Sequence, residues 1–206
     1  MTATAAQRPL ALSAAADGVQ AFALRLPADA TEAPQAQRER LRSATQQAMC
    51  RTLSTALACD VQQLQVRATP GQAPQLWRSG QRLPAIQLST AYAGRLAVWA
   101  WSARGAVGID VEPVPSISAA EAAHWQATAA LYLTPQALAA LPPLHHADGA
   151  PAFAMHWALL EAQLKCAGMA LAEAHLRPPP WNAGMQTATL HLPAGWGALA
   201  AAVAWR

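Results

Sequence analysis

The chain has 206 residues, of which 53% are hydrophobic and 12% are charged, and its formal net charge is +3. This apolar content excludes a disordered chain, and the length allows one large domain or two small ones. The positive charge suits an anionic small ligand or an acidic partner protein, but it is far below the dense basic stripe of a nucleic-acid-binding protein. We therefore expect no nucleic-acid partner.

The cysteines and the N-terminus indicate the compartment. Cys50, Cys59 and Cys166 form no CxxC pair and no zinc-ligand spacing, which is typical of reduced thiols in a cytosolic protein. The N-terminal stretch lacks the basic start and long apolar run of a signal peptide, and no segment is apolar for long enough to span a bilayer. We expect a cytoplasmic protein with no membrane partner.

The first half of the chain predicts a strand, a helix and further strands. Alternating apolar residues indicate the strands, and Pro34 opens the helical pattern. Proline and glycine between residues 68 and 84 are typical of a loop. The predicted elements are strands at about 19–26, 60–67, 85–89 and 95–102 and a helix at about 34–58.

The second half repeats this kind of order. A fresh strand begins at about Ala106 and is stopped by Pro113, and Ser118 with Glu121 three residues later is a helix-capping pattern. The predicted elements are strands at about 106–111, 187–193 and 198–206 and helices at about 118–131, 135–141 and 153–170. We expect an α+β protein divided into residues 1–104 and residues 105–206.

Two carboxylates stand close together at the end of the first strand of the second half. Residues two apart on a strand point to the same face, so Asp110 and Glu112 project together while Ile109 and Val111 point the other way. Adjacent carboxylates repel unless a cation bridges them, and oxygen ligands of this kind suit Mg²⁺. The alternative is a solvent-facing pair at a sheet edge.

The only lysine of the chain follows a glutamate by one helical turn. Trp157, Glu161 and Lys165 are each four residues apart and therefore share one helix face, with Trp157 as packing. Lysine is a compact donor where arginine is a planar fork, so a retained lysine is a candidate for a role that arginine cannot fill. The alternative is an ordinary surface ion pair.

Together the two segments form an Asp-x-Glu and Glu-x₃-Lys arrangement. Three carboxylates could hold a metal, and the neighbouring cation could face a phosphate. The combination indicates Mg²⁺-assisted chemistry on a phosphate ester. A generic α+β protein with a surface ion pair would require both segments to be coincidental.

These residues resemble the 4′-phosphopantetheinyl transferase superfamily. The stretch from Val107 to Glu112 reads VGIDVE, and a W-x₃-E-x₃-K helix begins about 45 residues later, at Trp157. The family's usual signatures are a (V/I)G(V/I)D(V/I)E strand and a W-x-x-K-E-x-x-x-K helix. The resemblance covers about residues 20–206, and the length is similar to the monomeric type that activates peptide and polyketide synthases.

The resemblance implies a pseudo-dimer of two similar α+β halves with the ligand cleft between them. It implies Mg²⁺-dependent transfer of the phosphopantetheine arm of coenzyme A to a serine of an acyl or peptidyl carrier protein, the holo-[acyl-carrier-protein] synthase type of activity, with release of 3′,5′-ADP. By motif position, the metal ligands would be Asp110, Glu112 and Glu161, and the catalytic residues Glu161 and Lys165. The residues that would bind coenzyme A are Ser89, Thr90, Arg38 and Arg82.

The chain departs from the family pattern at three places. The usual Ser-His-Ser reads Ser89-Thr90-Ala91, the lysine of the helix motif is Leu160, and the usual Gly-Lys-Pro loop reads Gly80-Gln81-Arg82-Leu83-Pro84. A lost charge-assisted phosphate contact costs about 1.5–3 kcal/mol. Two functions therefore stay open, a divergent transferase and a non-catalytic relative that binds a carrier protein or coenzyme A as an assembly or chaperone subunit.

Overall fold

A computed structural model describes residues 8–12 and 18–206. Residues 1–7 and 13–17 lie outside the described part, and with them most of the N-terminal stretch that bears on a signal peptide. The described chain is α+β, as the sequence predicts. Its strands are β1 Leu10–Leu12, β2 Val19–Arg25, β3 Leu64–Arg67, β4 Gln75–Arg78, β5 Gln81–Arg82, β6 Gln87–Ala93, β7 Leu96–Ser102, β8 Val107–Pro113, β9 Gln186–Thr189 and β10 Leu199–Trp205, and its helices are α1 Pro34–Ala56, α2 Ala122–Tyr132, α3 Pro135–Ala139 and α4 Gly149–Ala167.

The largest sheet contains four antiparallel strands in the order β1-β2-β7-β6. Every residue of β7 is buried, and Trp99 at its centre is fully enclosed. The helix α1 covers one face of this sheet with Leu41, Met49 and Leu53, which recur near one side of a 3.6-residue period. The predicted strands over 19–26 and 95–102 and the predicted helix over 34–58 are confirmed within one or two residues.

A small hairpin corrects the predicted loop over residues 68–84. The strands β4 and β5 lie inside that stretch and extend β3 into a second antiparallel sheet, in the order β3-β4-β5. The turn between them uses Ser79 at φ +47° and Gly80 at φ +81°, a pair of left-handed residues that suits a tight hairpin. Buried Leu76 joins the core beneath α1, so tertiary packing stabilises strands that the flanking proline and glycine residues obscure.

The third sheet has the order β8-β10-β9, and α4 packs against β8 and β10. Ile109 and Val111 of β8 enter a core cluster shared with β7 and β10. The strand β6 lies beside β8, where the Ile109 amide donates a hydrogen bond of 3.1 Å to Ser89 Oγ. The first two sheets contain strands from before residue 105, and the third contains strands from after it. That residues 1–104 and 105–206 form two similar halves stays a prediction.

Several element boundaries differ from those predicted. The helix α4 begins at Gly149, four residues early. The helix α2 begins at Ala122, although the Ser118 backbone N–H donates the expected capping bond to Glu121 Oε2 at 3.1 Å. The last short strand, β9, covers only Gln186–Thr189, and β1 escaped prediction because three residues carry no measurable period. Such ends depend on packing that local sequence does not contain.

Candidate metal centre

A glycine brings the helix α4 close to the strand β8. A Cβ atom on Gly108 would lie 1.9 Å from the backbone oxygen of Ala162 and 2.5 Å from the backbone nitrogen of Cys166. No larger residue fits between strand and helix at this point without moving one of them. This close approach places the Glu161 and Lys165 side chains of α4 against the carboxylate of Asp110, two residues after Gly108 on β8.

Three carboxylates converge at this contact. Asp110 is 3% exposed, and Glu112 and Glu161 are partly buried. One ligand oxygen from each of the three lies within 4.8 Å of the others. Asp110 and Glu112 thus share a face of β8 as predicted, and the burial of Asp110 contradicts the alternative of a solvent-facing edge pair.

Lys165 links the helix to the strand. Its Nζ donates to Asp110 Oδ1 at 2.6 Å and to the backbone oxygen of Ile109 at 3.3 Å, and it lies 3.8 Å from Glu161 Oε2. An ammonium group has three donors, so one remains after the bonds to Asp110 and Ile109. The side chain is 33% exposed, which is compatible with contact to a bound anion. Lys165 and Glu161 therefore do not form an ordinary surface ion pair along the helix, because Lys165 also binds the buried Asp110 of β8.

The charge balance at the site is negative. Burial raises the pKa of Asp110, although the nearby Lys165 ammonium opposes the shift. Burial, followed by the charges of Asp110 and Glu161, raises the pKa of Glu112 to about 7. One ammonium group does not offset three carboxylates, so the protein alone favours protonation of Glu112 near neutral pH.

The donor set fits a divalent cation. Asp110 Oδ2 is buried and has no hydrogen-bond partner among the described residues. A buried carboxylate oxygen without a partner is costly unless an ion or an ordered water meets it. Three carboxylates with oxygen atoms in mutual proximity form a hard ligand set that suits Mg²⁺, which keeps its remaining positions for water and phosphate.

Trp157 has a role beyond the packing that the sequence indicated. Its Nε1 donates to Glu161 Oε1 at 3.1 Å, one helical turn along α4. The ring stacks on Phe153 and meets Tyr132 edge to face, so its position is determined by aromatic neighbours. The four-residue spacing of Trp157 and Glu161 was the available signal, but spacing alone does not distinguish a hydrogen bond from packing.

A cavity of about 680 Å³ lies beside Lys165. The predicted coenzyme A residues Ser89 and Thr90 line it, together with segments 71–74 and 168–170. Ser89 Oγ accepts the Ile109 amide, which leaves its hydroxyl hydrogen free to be donated. The structure thus brings Ser89, Thr90 and Lys165 to one cavity, whereas the role of segment 71–74 was missed because a proline–glycine loop carries no functional signature.

Two predicted arginines and one departure from the family pattern lie elsewhere. Arg38 and Arg82 are exposed, and neither is among the described residues that line this cavity. Their assignment to coenzyme A stays a prediction. Leu160 is 4% exposed and packs in the apolar cluster of α2 and α4, with Leu133 and Leu164. The chain therefore uses this position as core rather than as a basic group at the carboxylates.

The model of the 4′-phosphopantetheinyl transferase superfamily matches residues 106–194. The matched range holds all three carboxylates and Lys165, and it confirms the resemblance at superfamily level for this part of the chain. It covers less than half of the chain, so the monomeric two-half type is not established by it. A search of curated proteins finds no match.

The match supports transferase activity, and phosphopantetheine transfer as its general class. None of the helices in the described ranges combines the length and hydropathy needed to cross a membrane.

Proposed function

We propose that this protein transfers the 4′-phosphopantetheine group of coenzyme A to a serine of an acyl or peptidyl carrier protein and releases 3′,5′-ADP. The reaction requires Mg²⁺ held by Asp110, Glu112 and Glu161. The observation that carries the proposal is the buried Asp110, whose Oδ1 accepts from Lys165 while its Oδ2 has no hydrogen-bond partner in the described part of the chain. Binding of coenzyme A alone would not require a three-carboxylate set of this kind.

The chain's own residues account for orientation and proton transfer. The bound Mg²⁺ supplies charge stabilisation for the pyrophosphate of coenzyme A. Lys165 donates its remaining hydrogen to a phosphate oxygen at the cavity side of the site, where negative charge develops on the leaving 3′,5′-ADP. Glu161, directly or through a water, takes the hydroxyl proton of the carrier serine, and the Trp157 bond holds its carboxylate in one orientation.

The cavity of about 680 Å³ is the proposed site of the 3′-phospho-ADP part of coenzyme A. Ser89 and Thr90 offer hydroxyl donors there, and Lys165 is a cation in the lining of the same cavity. A second, apolar cavity of about 340 Å³ borders Glu112 and contains Trp125 and Phe153, which suits the uncharged pantetheine arm. In this proposal the reacting phosphate lies at the carboxylates, between the parts of coenzyme A that occupy the two cavities.

The remaining assignments belong to the same proposal. We take the chain as the monomeric two-half type, with coenzyme A bound between residues 1–104 and 105–206, since the larger cavity is lined by residues from both ranges. Arg82 and Arg38 are the candidates for the 3′-phosphate if the ligand reaches beyond the cavity. The mild positive charge of the protein suits an acidic carrier protein.

A non-catalytic role in binding a carrier protein or coenzyme A is the second candidate. Its support is the absence of a basic side chain at Thr90 and at Leu160, which is buried in the core. The two functions differ in whether the carboxylates are needed, because binding of coenzyme A through its phosphates and adenosine does not need Glu161 as a base.

Intact-mass spectrometry of apo carrier proteins, incubated with this protein, coenzyme A and Mg²⁺, distinguishes the two functions. We expect a carrier to gain the mass of one phosphopantetheine group, and Glu161→Gln to remove the gain while calorimetry still detects coenzyme A binding. Glu173→Gln, a partly exposed glutamate outside the site, is the matched control and should retain transfer. Coenzyme A binding without a mass gain on any carrier would favour the non-catalytic role.

A further inference from the structure

Three arginines converge on a cavity of about 360 Å³ that is separate from the carboxylate site. Arg8 precedes β1, Arg25 ends β2, and Arg95 directly precedes β7. They account for three of the fourteen lysine and arginine residues of the chain. The other lining residues include Pro27 and Trp196, and no carboxylate lies among the described residues of the lining.

Backbone carbonyl groups hold two of the three guanidinium groups. Arg25 Nη1 donates to the backbone oxygen of Gly195 at 2.6 Å, and Arg95 Nη1 donates to the backbone oxygen of Leu26 at 3.2 Å. These bonds fix the orientation of each planar fork but neutralise no charge. A guanidinium has five N–H donors, so several donors of each group are left to face the cavity.

None of the three arginines has an ion-pair partner among the described residues. Arg25 and Arg95 are partly buried and Arg8 is exposed at the rim, and no acidic group of the described chain lies within ion-pairing distance of the three. Like charges held together in a partly desolvated concavity repel one another, which an anion would relieve. Planar guanidinium forks match the oxygen geometry of a phosphate group.

Trp196 gives the cavity an aromatic wall. It packs against the core cluster that contains Ile109 and Val111, so it lies on the β8 face opposite the one that carries Asp110. The cavity is therefore on the far side of β8 from the carboxylates and does not share their ligand. Its volume is that of a small-molecule site rather than of a groove for a helix.

We propose that this cavity, with Arg8, Arg25, Arg95 and Trp196, binds a phosphate-bearing small organic molecule. The arginines bind the phosphate oxygens, and the indole of Trp196 contacts the planar or apolar body of the ligand. The site is independent of the transfer reaction, because its described lining contains none of the three carboxylates and shares no residue with the cavity beside Lys165. It is a second ligand site on the opposite side of the sheet.

Isothermal titration calorimetry with inorganic phosphate, pyrophosphate and AMP tests the proposal. The titrations contain EDTA, so that the metal-free carboxylates repel these anions. They are run at constant ionic strength, so that differences in affinity do not reflect salt. We expect saturable binding of one equivalent, with AMP tighter than inorganic phosphate. Arg8→Gln and Arg95→Gln should each weaken the binding on the order of tenfold, as expected for loss of one charge-assisted bond. Trp196→Leu should remove the advantage of AMP.

The control variant is Arg51→Gln, which removes the same charge from an exposed position on α1. It should leave the affinity for AMP unchanged. Equal weakening by Arg51→Gln and Arg95→Gln would show general charge attraction and overturn the proposal, as would a wild-type protein without saturable binding. Because Arg8 makes no bond to other described residues on which folding could depend, Arg8→Gln keeps the test valid if Arg95→Gln unfolds.

Discussion

Asp110 is buried, with one carboxylate oxygen bonded to Lys165 and the other without a partner among residues 8–12 and 18–206. Two more carboxylates lie within a few ångströms. In the metal-free protein this arrangement costs free energy through desolvation and repulsion. Sites that perform chemistry commonly retain such costs because the bound ligand offsets them. Substitutions of single residues at this site therefore test the proposed metal centre most directly.

Glu112→Gln should stabilise the metal-free protein while removing transfer. The amide keeps the shape of the side chain without the charge that repels Asp110 and Glu161. At pH 8 we expect a gain in the free energy of unfolding of about 1–2 kcal/mol, discounted because Glu112 is partly exposed. Urea unfolding in EDTA measures it, and Mg²⁺ should raise the stability of the wild type more than that of the variant.

The pH dependence of this gain has a definite sign. The pKa of Glu112 is about 7 in the folded protein against an ordinary value of 4.5. Above pH 7 the ionised group destabilises the fold, and below pH 4.5 it is protonated in both states and contributes nothing. The gain from Glu112→Gln should therefore be full at pH 8 and vanish towards pH 4.5. A constant gain across this range would show that charge is not the cause.

Lys165→Arg should lower the rate of transfer nearly as much as Lys165→Met, on the order of a hundredfold. The Nζ atom lies 2.6 Å from Asp110 Oδ1 and 3.3 Å from the Ile109 oxygen, a space that a planar guanidinium group overfills. Steady-state transfer to an apo carrier measures the effect. Arg51→Lys, the reverse exchange at an exposed position, should leave the rate of transfer unchanged. Near-normal transfer by Lys165→Arg would mean that only the positive charge matters.

At the element scale, the contact between α4 and β8 positions the site. The Gly108 backbone allows the helix to approach the strand, and Gly168, at φ +68°, ends the helix where Met169 donates back to the Leu164 oxygen. The carboxylates and Lys165 are thus held by two packed elements rather than by loops. A small displacement of α4 would separate Lys165 from Asp110.

Gly108→Ala should destabilise the protein by about 1–3 kcal/mol or more, because the added methyl group would overlap the backbone of Ala162. Transfer should fall as α4 moves, even at temperatures where the variant is folded. Urea unfolding and carrier modification measure the two effects. Gly195→Ala is the matched control, since its Cβ would meet no atom of the described residues within 4 Å. Equal stability of the two variants would contradict the proposed role of close packing.

Local sequence was sufficient for the long elements and for the two signature segments. The period of α1 and α4, the buried run of β7 and the alternation in β8 are all visible in the order of residues. The hairpin of β4 and β5 was missed because only four and two residues form its strands, and buried Leu76 stabilises it against distant parts of the core. Short elements depend on contacts that no local pattern encodes.

At the scale of the whole molecule, Ser89 joins the sheet of β6 to the strand β8. Ser89→Ala would leave the buried Ile109 amide without its acceptor, and we expect a loss of about 1–3 kcal/mol in the free energy of unfolding. Ser54→Ala is the control, because that hydroxyl is exposed and donates to the Arg51 carbonyl oxygen within its own helix. Chemical denaturation compares the two variants. An unchanged free energy of unfolding in Ser89→Ala would show that the hydrogen bond between Ser89 and Ile109 contributes little.

Parts of the site that are close in sequence were predictable, and parts that only the packing of the whole molecule brings together were not. Asp110 with Glu112, and Glu161 with Lys165, are each encoded within five residues, so the sequence shows that each pair lies close together, and the combination of the two pairs indicated a site. The cavity beside Lys165 combines segments 71–74 and 168–170, and Arg25 meets Gly195 across 170 positions of the chain. Such neighbours arise only when the sheets pack together, and a single sequence carries no signal for them.

The most direct measurement is the intact mass of a panel of apo acyl and peptidyl carrier proteins after incubation with this protein and coenzyme A, with Mg²⁺ or with EDTA. The account predicts that at least one carrier gains a single phosphopantetheine group with Mg²⁺. It predicts no gain in EDTA or with Asp110→Ala, provided that circular dichroism shows the variant folded. Transfer that persists in EDTA and in the folded Asp110→Ala variant would contradict the assignment of the carboxylates as the metal centre.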